Sequence, residues 1–394
     1  MRRITGVVAG VLVLAVLASV FAAADQDVEC TITLQPGDSI QEAIDNADGA
    51  DVICLAPGVY EEILTISRDI KIRGTGETPG EVQIKGTSRT KPGVSIASSE
   101  GNEEPFIAAF ENLTLLNRYP AKFHGVELGG VAGLKLTGVA VLGSMRYALI
   151  LRDSTTAEIS NSTIGDSEYG IKAADSCTLI VSDTTFSDID EMAFEVTSSA
   201  SATLERCDFS GGEFAAGGSA VVVVVDSILD RSTTSIGGSA QASFEACSFS
   251  YGSGGVVTAI SSAQLRLTHC TISHNSPETP ARISGLVVAG PATAVVEGCE
   301  FSDNGGTALH LQANAALVIK DSVIVRNTDF GIFAYLKDCW YLIVADSTVD
   351  KYYSPGEEFH GRISGSGNTI PGPGEPDGNG LGDVCPNSFS TVKE

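Results

Sequence analysis

The chain has 394 residues, a formal net charge of −25 and a pI near 4.4. A hydrophobic content of 43% excludes a wholly disordered chain. The acidity excludes a nucleic-acid binder, because no basic surface is left to neutralise phosphates. Charged residues are only 19%, so Ser, Thr, Asn and 43 glycines must carry the surface, which suits short strands and turns.

Arg2 and Arg3 precede an apolar run from Val7 to Val20, with small residues at Ala22 and Ala24. This is the pattern of an export signal over residues 1–24. The run is shorter than the roughly 20 apolar residues of a membrane span. The expected product is exported (extracellular, periplasmic or at the cell surface), does not span a membrane after cleavage, and is permitted disulfides. Ser39 is placed to cap a short amphipathic turn through Ile40, Ala43 and Ile44. Cys30 and Cys54, on the first two predicted strands, form the expected disulfide.

A tetrad then recurs: a small polar or acidic residue, then Cys, Ser or Thr, then any residue, then an apolar one. Asn161-Ser162-Thr163-Ile164, Arg206-Cys207-Asp208-Phe209 and His269-Cys270-Thr271-Ile272 are examples. Its second position falls at residues 162, 184, 207, 227, 247, 270, 299, 322 and 347. Weaker copies surround Leu113-Thr114-Leu115 and Val139-Ala140-Val141. A period of about 20–29 residues means a solenoid, and alternation within each period means strands. The spaced leucines of leucine-rich repeats are missing, and a propeller blade would need about 40 residues. The expected fold is all-β, a parallel β-helix over residues 25–364 with a short N-terminal capping helix.

Cys207, Cys247, Cys270 and Cys299 share the second position, two residues before an apolar one. Both side chains should then face inward, and the thiols should stack as small interior fillers alternating with Ser and Thr. No CxxC spacing suggests a metal site. Cys385 would need a partner or stay free, with Cys339 as one candidate.

The stretch from Gln35-Pro36-Gly37-Asp38-Ser39 through Ile53-Cys54-Leu55-Ala56-Pro57-Gly58-Val59-Tyr60 to Ile70-Lys71-Ile72-Arg73-Gly74 resembles the opening coils of the pectin-lyase-like superfamily of right-handed parallel β-helices. With the coils that follow, the resemblance covers about residues 28–364. It implies a helix over one end of the solenoid, and a superfamily that includes pectate lyases, polygalacturonases, pectin methylesterases and alginate-modifying enzymes. The catalytic motifs of these enzymes do not carry over. Asn327-Thr328-Asp329 matches one polygalacturonase motif, but the Asp-Asp, Gly-His-Gly and Arg-Ile-Lys that should follow are missing. Asn327 reads more simply as a turn residue. The methylesterase Leu-Gly-Arg-Pro-Trp and the epimerase Asp-Pro-His are also missing.

Stacking turns equal offsets into neighbours. Counting from the tetrad, Asp166, Glu168, Asp188, Asp190, Glu191 and Glu213 should line one turn, with Arg118, Tyr119, Arg146 and Tyr147 beside them from preceding coils. Asp166, Glu168, Asp188 and Asp190 are the candidate catalytic carboxylates, serving as acid and base or holding Ca2+. The arginines and tyrosines are candidate substrate-binding residues. The bland alternative is a set of solvated turn acids.

Residues 365–394 form a Gly- and Pro-rich acidic tail. Within it, Glu375, Asp377, Asn379 and Asp383 resemble one thrombospondin type 3 calcium repeat and are candidate Ca2+ ligands. The expected function is binding of an extracellular polysaccharide or cell-envelope glycan. The alternatives are a polysaccharide lyase or glycoside hydrolase using the turn acids, and a structural surface solenoid.

Overall fold

A computed structural model of the chain describes residues 29–48, 51–88, 90–98, 104–117, 123–144, 146–277, 283–335, 341–345, 347–349 and 352–353. Residues 1–24, expected to be an export signal, the tail, Arg118, Tyr119, Cys339 and Cys385 lie outside the described residues.

Alternation along each period becomes short strands with one face inward. In Thr178–Ser182, Leu179 and Val181 are fully buried while their neighbours look outward. Three such strands make a coil, and the coils stack in parallel. The first column is a 14-stranded sheet running from Ile32–Leu34 to Tyr341–Ala345. The second and third columns join into a 24-stranded system. In the second column the third tetrad residues pair in register, Thr163 with Thr185, Asp208, Ile228, Ser248, Thr271, Glu300 and Val323 in turn. The weaker copies belong to the same ladder, since Thr114 pairs with Ala140 and Ala140 with Thr163.

The tetrad encodes the corner between the first and second columns. Its first residue has positive φ, as at Asn161 (49°), Asp183 (48°), Asp226 (49°) and Gly298 (64°). Asn, Asp and Gly reach this left-handed conformation at least cost. The second residue is buried and closes the corner twice. Its side chain donates to the carbonyl two residues back, as Ser162 Oγ does to Ser160 O at 2.8 Å. It also accepts a backbone N–H from the coil before, as Ser162 does from Val139 at 3.1 Å and Ser322 from Cys299 at 3.1 Å. Cys299 Sγ takes the Cys270 N–H in the same way at 3.3 Å. A small side chain with both a donor and an acceptor is what the corner needs, which is why Cys, Ser and Thr interchange there. Burial pushes the Cys207 thiol up to about 11, so it stays a neutral filler. Behind the corners, phenylalanines stack along the axis, Phe186 on Phe209 at 4.3 Å and Phe194 on Phe214 at 5.1 Å.

At the N-terminal end the helix Ile40–Asn46 buries Ile40 and Ile44. Ser39 accepts from the Glu42 N–H, and the Glu62 carboxylate takes the N–H groups of Ile40 (2.7 Å) and Gln41 (3.0 Å). The Cys30–Cys54 disulfide ties the two first strands together across a separation of 24 residues. A loop of that size is worth about 3 kcal/mol of stability by restricting the unfolded chain.

Candidate functional site

In most coils a corner separates the second column from the third. Two consecutive coils are different. Thr163–Ala173 and Thr185–Val196 run as continuous strands of 11 and 12 residues through that corner. Their registers shift between Ser167 and Tyr169 and again between Met192 and Phe194. A bulge of this kind re-aims side chains on the outer face. The coils are pressed together here: a Cβ on Gly170 would lie 2.1 Å from the Ala193 carbonyl oxygen. Only glycine allows that approach.

The bulged strands carry a patch on the outer face of the third column. Tyr147 pairs with Tyr169 in the sheet, and their rings lie 4.9 Å apart. The Tyr147 hydroxyl donates to Glu195 Oε2 at 2.7 Å, reaching two coils along the axis. The Tyr169 hydroxyl donates to Glu191 Oε2 at 2.7 Å, and Glu191 is exposed at the bulge. Lys172 pairs with Glu195 at 2.8 Å, and its ammonium sits 5.4 Å from the centre of the Tyr147 ring. Arg152 approaches Glu127 at 3.5 Å along the same face.

These contacts set the proton states. Burial, then the bond to Glu195, raises the Tyr147 phenol well above its ordinary range. The bond to Glu191, then burial, pushes Tyr169 up to about 12. Both tyrosines are therefore neutral donors near neutral pH, not bases. Glu213, which pairs with Met192 beside the patch, is raised by burial and then by the Glu195 charge.

Beneath the patch lies His124, 6% exposed, with its ring 5.7 Å from that of Tyr147. Burial, with Arg152 and Arg146 adding, lowers it to about 4, so it is neutral. Its Nδ1 has no hydrogen-bond partner, nor do Ser144 Oγ and Ser167 Oγ on the next two coils. A small crevice lined by Gly86, Gly93, Asn117 and Gly125 opens next to this group.

The residues singled out from sequence separate here. Tyr147, Glu168, Glu191 and Glu213 come to the patch, with Glu168 acting electrostatically on Tyr169. Arg146 is exposed at its edge. Asp166 and Asp188 occupy left-handed corner positions, φ 48° and 53°, and are exposed. Their residue type therefore has a backbone reason independent of chemistry. Asp190 is exposed on the bulged strand. Arg118, Tyr119 and the tail residues Glu375, Asp377, Asn379 and Asp383 lie outside the described residues. Among the described residues, no group of three or more His, Cys, Asp or Glu side chains could hold a metal ion. Tyr169, Lys172, Glu195 and His124 were not marked by sequence. The second column's constant offsets hide them, because Tyr147 lies eight residues after Val139 whereas Tyr169 lies seven after Ser162.

Residues 124–278 and 216–349 match a family model described as "Right handed beta helix region". No curated protein matches the sequence significantly. In fold the chain is similar to the A-module of the mannuronan C-5 epimerase AlgE6 from Azotobacter vinelandii, at 15% identity and a TM-score of 0.55, covering 85% of this chain and 94% of that one. It is similar to a mannuronic acid specific polysaccharide family 6 lyase from human gut microbiota, at 10% identity and a TM-score of 0.54, covering 86% and 82%. It is also similar to the catalytic unit of a GH87 alpha-1,3-glucanase from Streptomyces thermodiastaticus, at 12% identity and a TM-score of 0.51, covering 87% and 69%. At these identities the likeness concerns the fold.

Proposed function

Because this chain belongs to the right-handed β-helix family, we propose that it is an exported protein that binds a polysaccharide on the outer face of its third column. The observation that carries this reading is the Tyr147–Tyr169 ring pair, whose hydroxyls are held by Glu195 and Glu191. Two tilted rings on adjacent coils with their tips fixed offer a stiff apolar surface to sugar rings, edged by donors and acceptors for hydroxyls. The polysaccharide-acting enzymes among the fold neighbours support the ligand class. The Cys30–Cys54 disulfide supports an oxidising compartment.

The test is a glycan panel read by calorimetry or array. The full chain should bind at least one polysaccharide, and the double variant Tyr147→Ala/Tyr169→Ala should bind it at least about tenfold more weakly. Its unfolding midpoint should stay close to that of the parent. Unchanged affinity in the double variant would remove the patch from the reading.

A second reading, a polysaccharide lyase or glycoside hydrolase, rests on Glu213. Its raised carboxyl beside Glu195 suits a general acid. Release of sugar from the same panel, with and without Ca2+, would support it if Glu213→Gln abolished the release. A panel that yields no product would end it.

A further inference from the structure

We propose that Asn304, with Gly305 after it, is a latent modification site: the hydrogen bonds of its corner block deamidation while the coil is closed, and deamidation there makes a transient opening permanent. The site lies in the C-terminal half of the solenoid, apart from the Tyr147–Tyr169 patch.

The first observation is chemical. Asparagine is a thermolabile residue, and it is least protected before glycine, where no Cβ shields the next backbone nitrogen. Gly305 N attacks Asn304 Cγ, the Cγ–Nδ2 bond breaks, and ammonia leaves with the proton that the Gly305 N–H gives up. The cyclic imide then takes up water and opens to aspartate or isoaspartate. Water is the only co-reactant. Asn275, Asn304 and Asn327 occupy the same corner on successive coils, and of these Asn304 alone precedes glycine; Ser276 and Thr328 follow the others. The glycine has a packing reason, since a Cβ on Gly305 would lie 2.9 Å from Pro277 Cδ and 3.4 Å from the Asn275 carbonyl oxygen. Packing therefore keeps the vulnerable pair in place.

The second observation is geometric. Asn304 Oδ1 accepts from the Asn275 backbone N–H at 3.2 Å and from Asn275 Nδ2 at 3.0 Å. Asn304 Nδ2 donates to Ile272 O and to Asn327 Oδ1, both at 2.9 Å. The carboxamide is thus tied to the coils on both sides and cannot swing onto its own neighbour. The attacking nitrogen is held too, because the Gly305 N–H donates to Asn275 O at 2.8 Å. Asn304 is 1% exposed, so water is kept from the imide as well. Deamidation must pass through local opening of the coil. The product cannot close the corner again. A carboxylate has no hydrogen to give to Ile272 O or Asn327 Oδ1, and would be a buried charge facing two acceptors. Isoaspartate routes the main chain through the former side-chain carbon and takes the Gly305 N–H out of line with Asn275 O.

The experiment holds the full chain, disulfide intact, at mildly alkaline pH and follows it by peptide mass mapping that separates aspartate from isoaspartate. In denaturant, Asn304 should deamidate ahead of Asn275 and Asn327. In the folded chain its rate should fall at least about a hundredfold. Denaturant added in steps below the unfolding midpoint should raise that rate progressively, because it favours open states. Asn327→Ala removes an acceptor from Asn304 Nδ2 and leaves the Asn304–Gly305 pair intact. It should speed deamidation of the folded chain about tenfold and leave the rate in denaturant unchanged. If that variant does not fold, the denaturant series on the parent chain decides. Asn304→Asp, which carries the product side chain, should lower the unfolding midpoint. Equal rates in folded and unfolded chains, or a folded-state rate indifferent to denaturant below the midpoint, would overturn the latent site. Asn304 reacting no faster than Asn275 in the unfolded chain would overturn the part given to Gly305. An Asn304→Asp chain with the parent's midpoint would overturn the permanence of the opening.

Discussion

The corner between the second and third columns is built twice, in two ways. In the C-terminal half it is closed by asparagines. Asn275 donates to Asn304 Oδ1 at 3.0 Å, Asn304 donates to Asn327 Oδ1 at 2.9 Å, and each amide also bonds a backbone carbonyl of the preceding coil. All three are about 1% exposed. In the N-terminal half the same corner carries Ser144 and Ser167, unpartnered, under a bulged strand pair crowded with Tyr and Glu. A ladder that satisfies every buried group stabilises and has no unmet bond to offer. A corner that leaves Ser144 Oγ and Ser167 Oγ buried without partners has given up some stability, while its bulges re-aim the outer side chains.

That contrast can be broken by substitutions on either side. The largest effect is expected at Asn304. Asn304→Ala removes the acceptor shared by the Asn275 side-chain and backbone N–H groups and the donor to the Ile272 carbonyl, and should cost about 3 kcal/mol or more in a denaturant titration. Glycan affinity should not change, because the N-terminal patch is untouched.

Next in size is the response to acid. His124 under the patch and His310 on the C-terminal half are both lowered to about 4 by burial. Each folded value lies below the unfolded value of about 6.5, so the unfolded chain holds the extra proton. Stability from these groups is complete above pH 6.5, falls as pH drops through the window, and levels off below 4. The loss is at most about 3 kcal/mol per histidine. His124→Gln and His310→Gln should each flatten part of the slope between pH 6.5 and 4; an unchanged slope in both would contradict their neutral burial.

Smaller effects separate ring from hydroxyl and thiol from hydroxyl. Tyr169→Phe keeps the ring beside Tyr147 and loses one exposed bond to Glu191, so the unfolding midpoint should hardly move while glycan affinity falls a few-fold. Cys270→Ser keeps a donor and an acceptor in the ladder and should change stability by less than about 1 kcal/mol, whereas Cys270→Val should cost clearly more.

The fold was legible because its signals are local. The tetrad marks a left-handed residue followed by a small buried one, and the described copies from Asn161 to Asp321 share that left-handed first residue. Ser39 caps the predicted helix, and Cys30 meets Cys54. The patch was only partly legible. Tyr147, Glu168, Glu191 and Glu213 were within reach of offset counting, but Tyr169, Lys172 and Glu195 were not, because the bulges shift the third column's register by a residue from coil to coil. Asp166 and Asp188 stood out in sequence for a backbone reason, since their corner positions have positive φ. His124 became visible only once Tyr147 and two arginines were placed around it.

Tyrosine-selective footprinting read by mass spectrometry tests the location of the site most directly, because the chain carries its own control. Tyr251 is 63% exposed and stacks on His274, away from the bulged strands. Saturation with a bound glycan should protect Tyr147 and Tyr169 from modification and leave Tyr251 unchanged. Protection of Tyr251 with Tyr169 still fully reactive would place the ligand elsewhere on the solenoid.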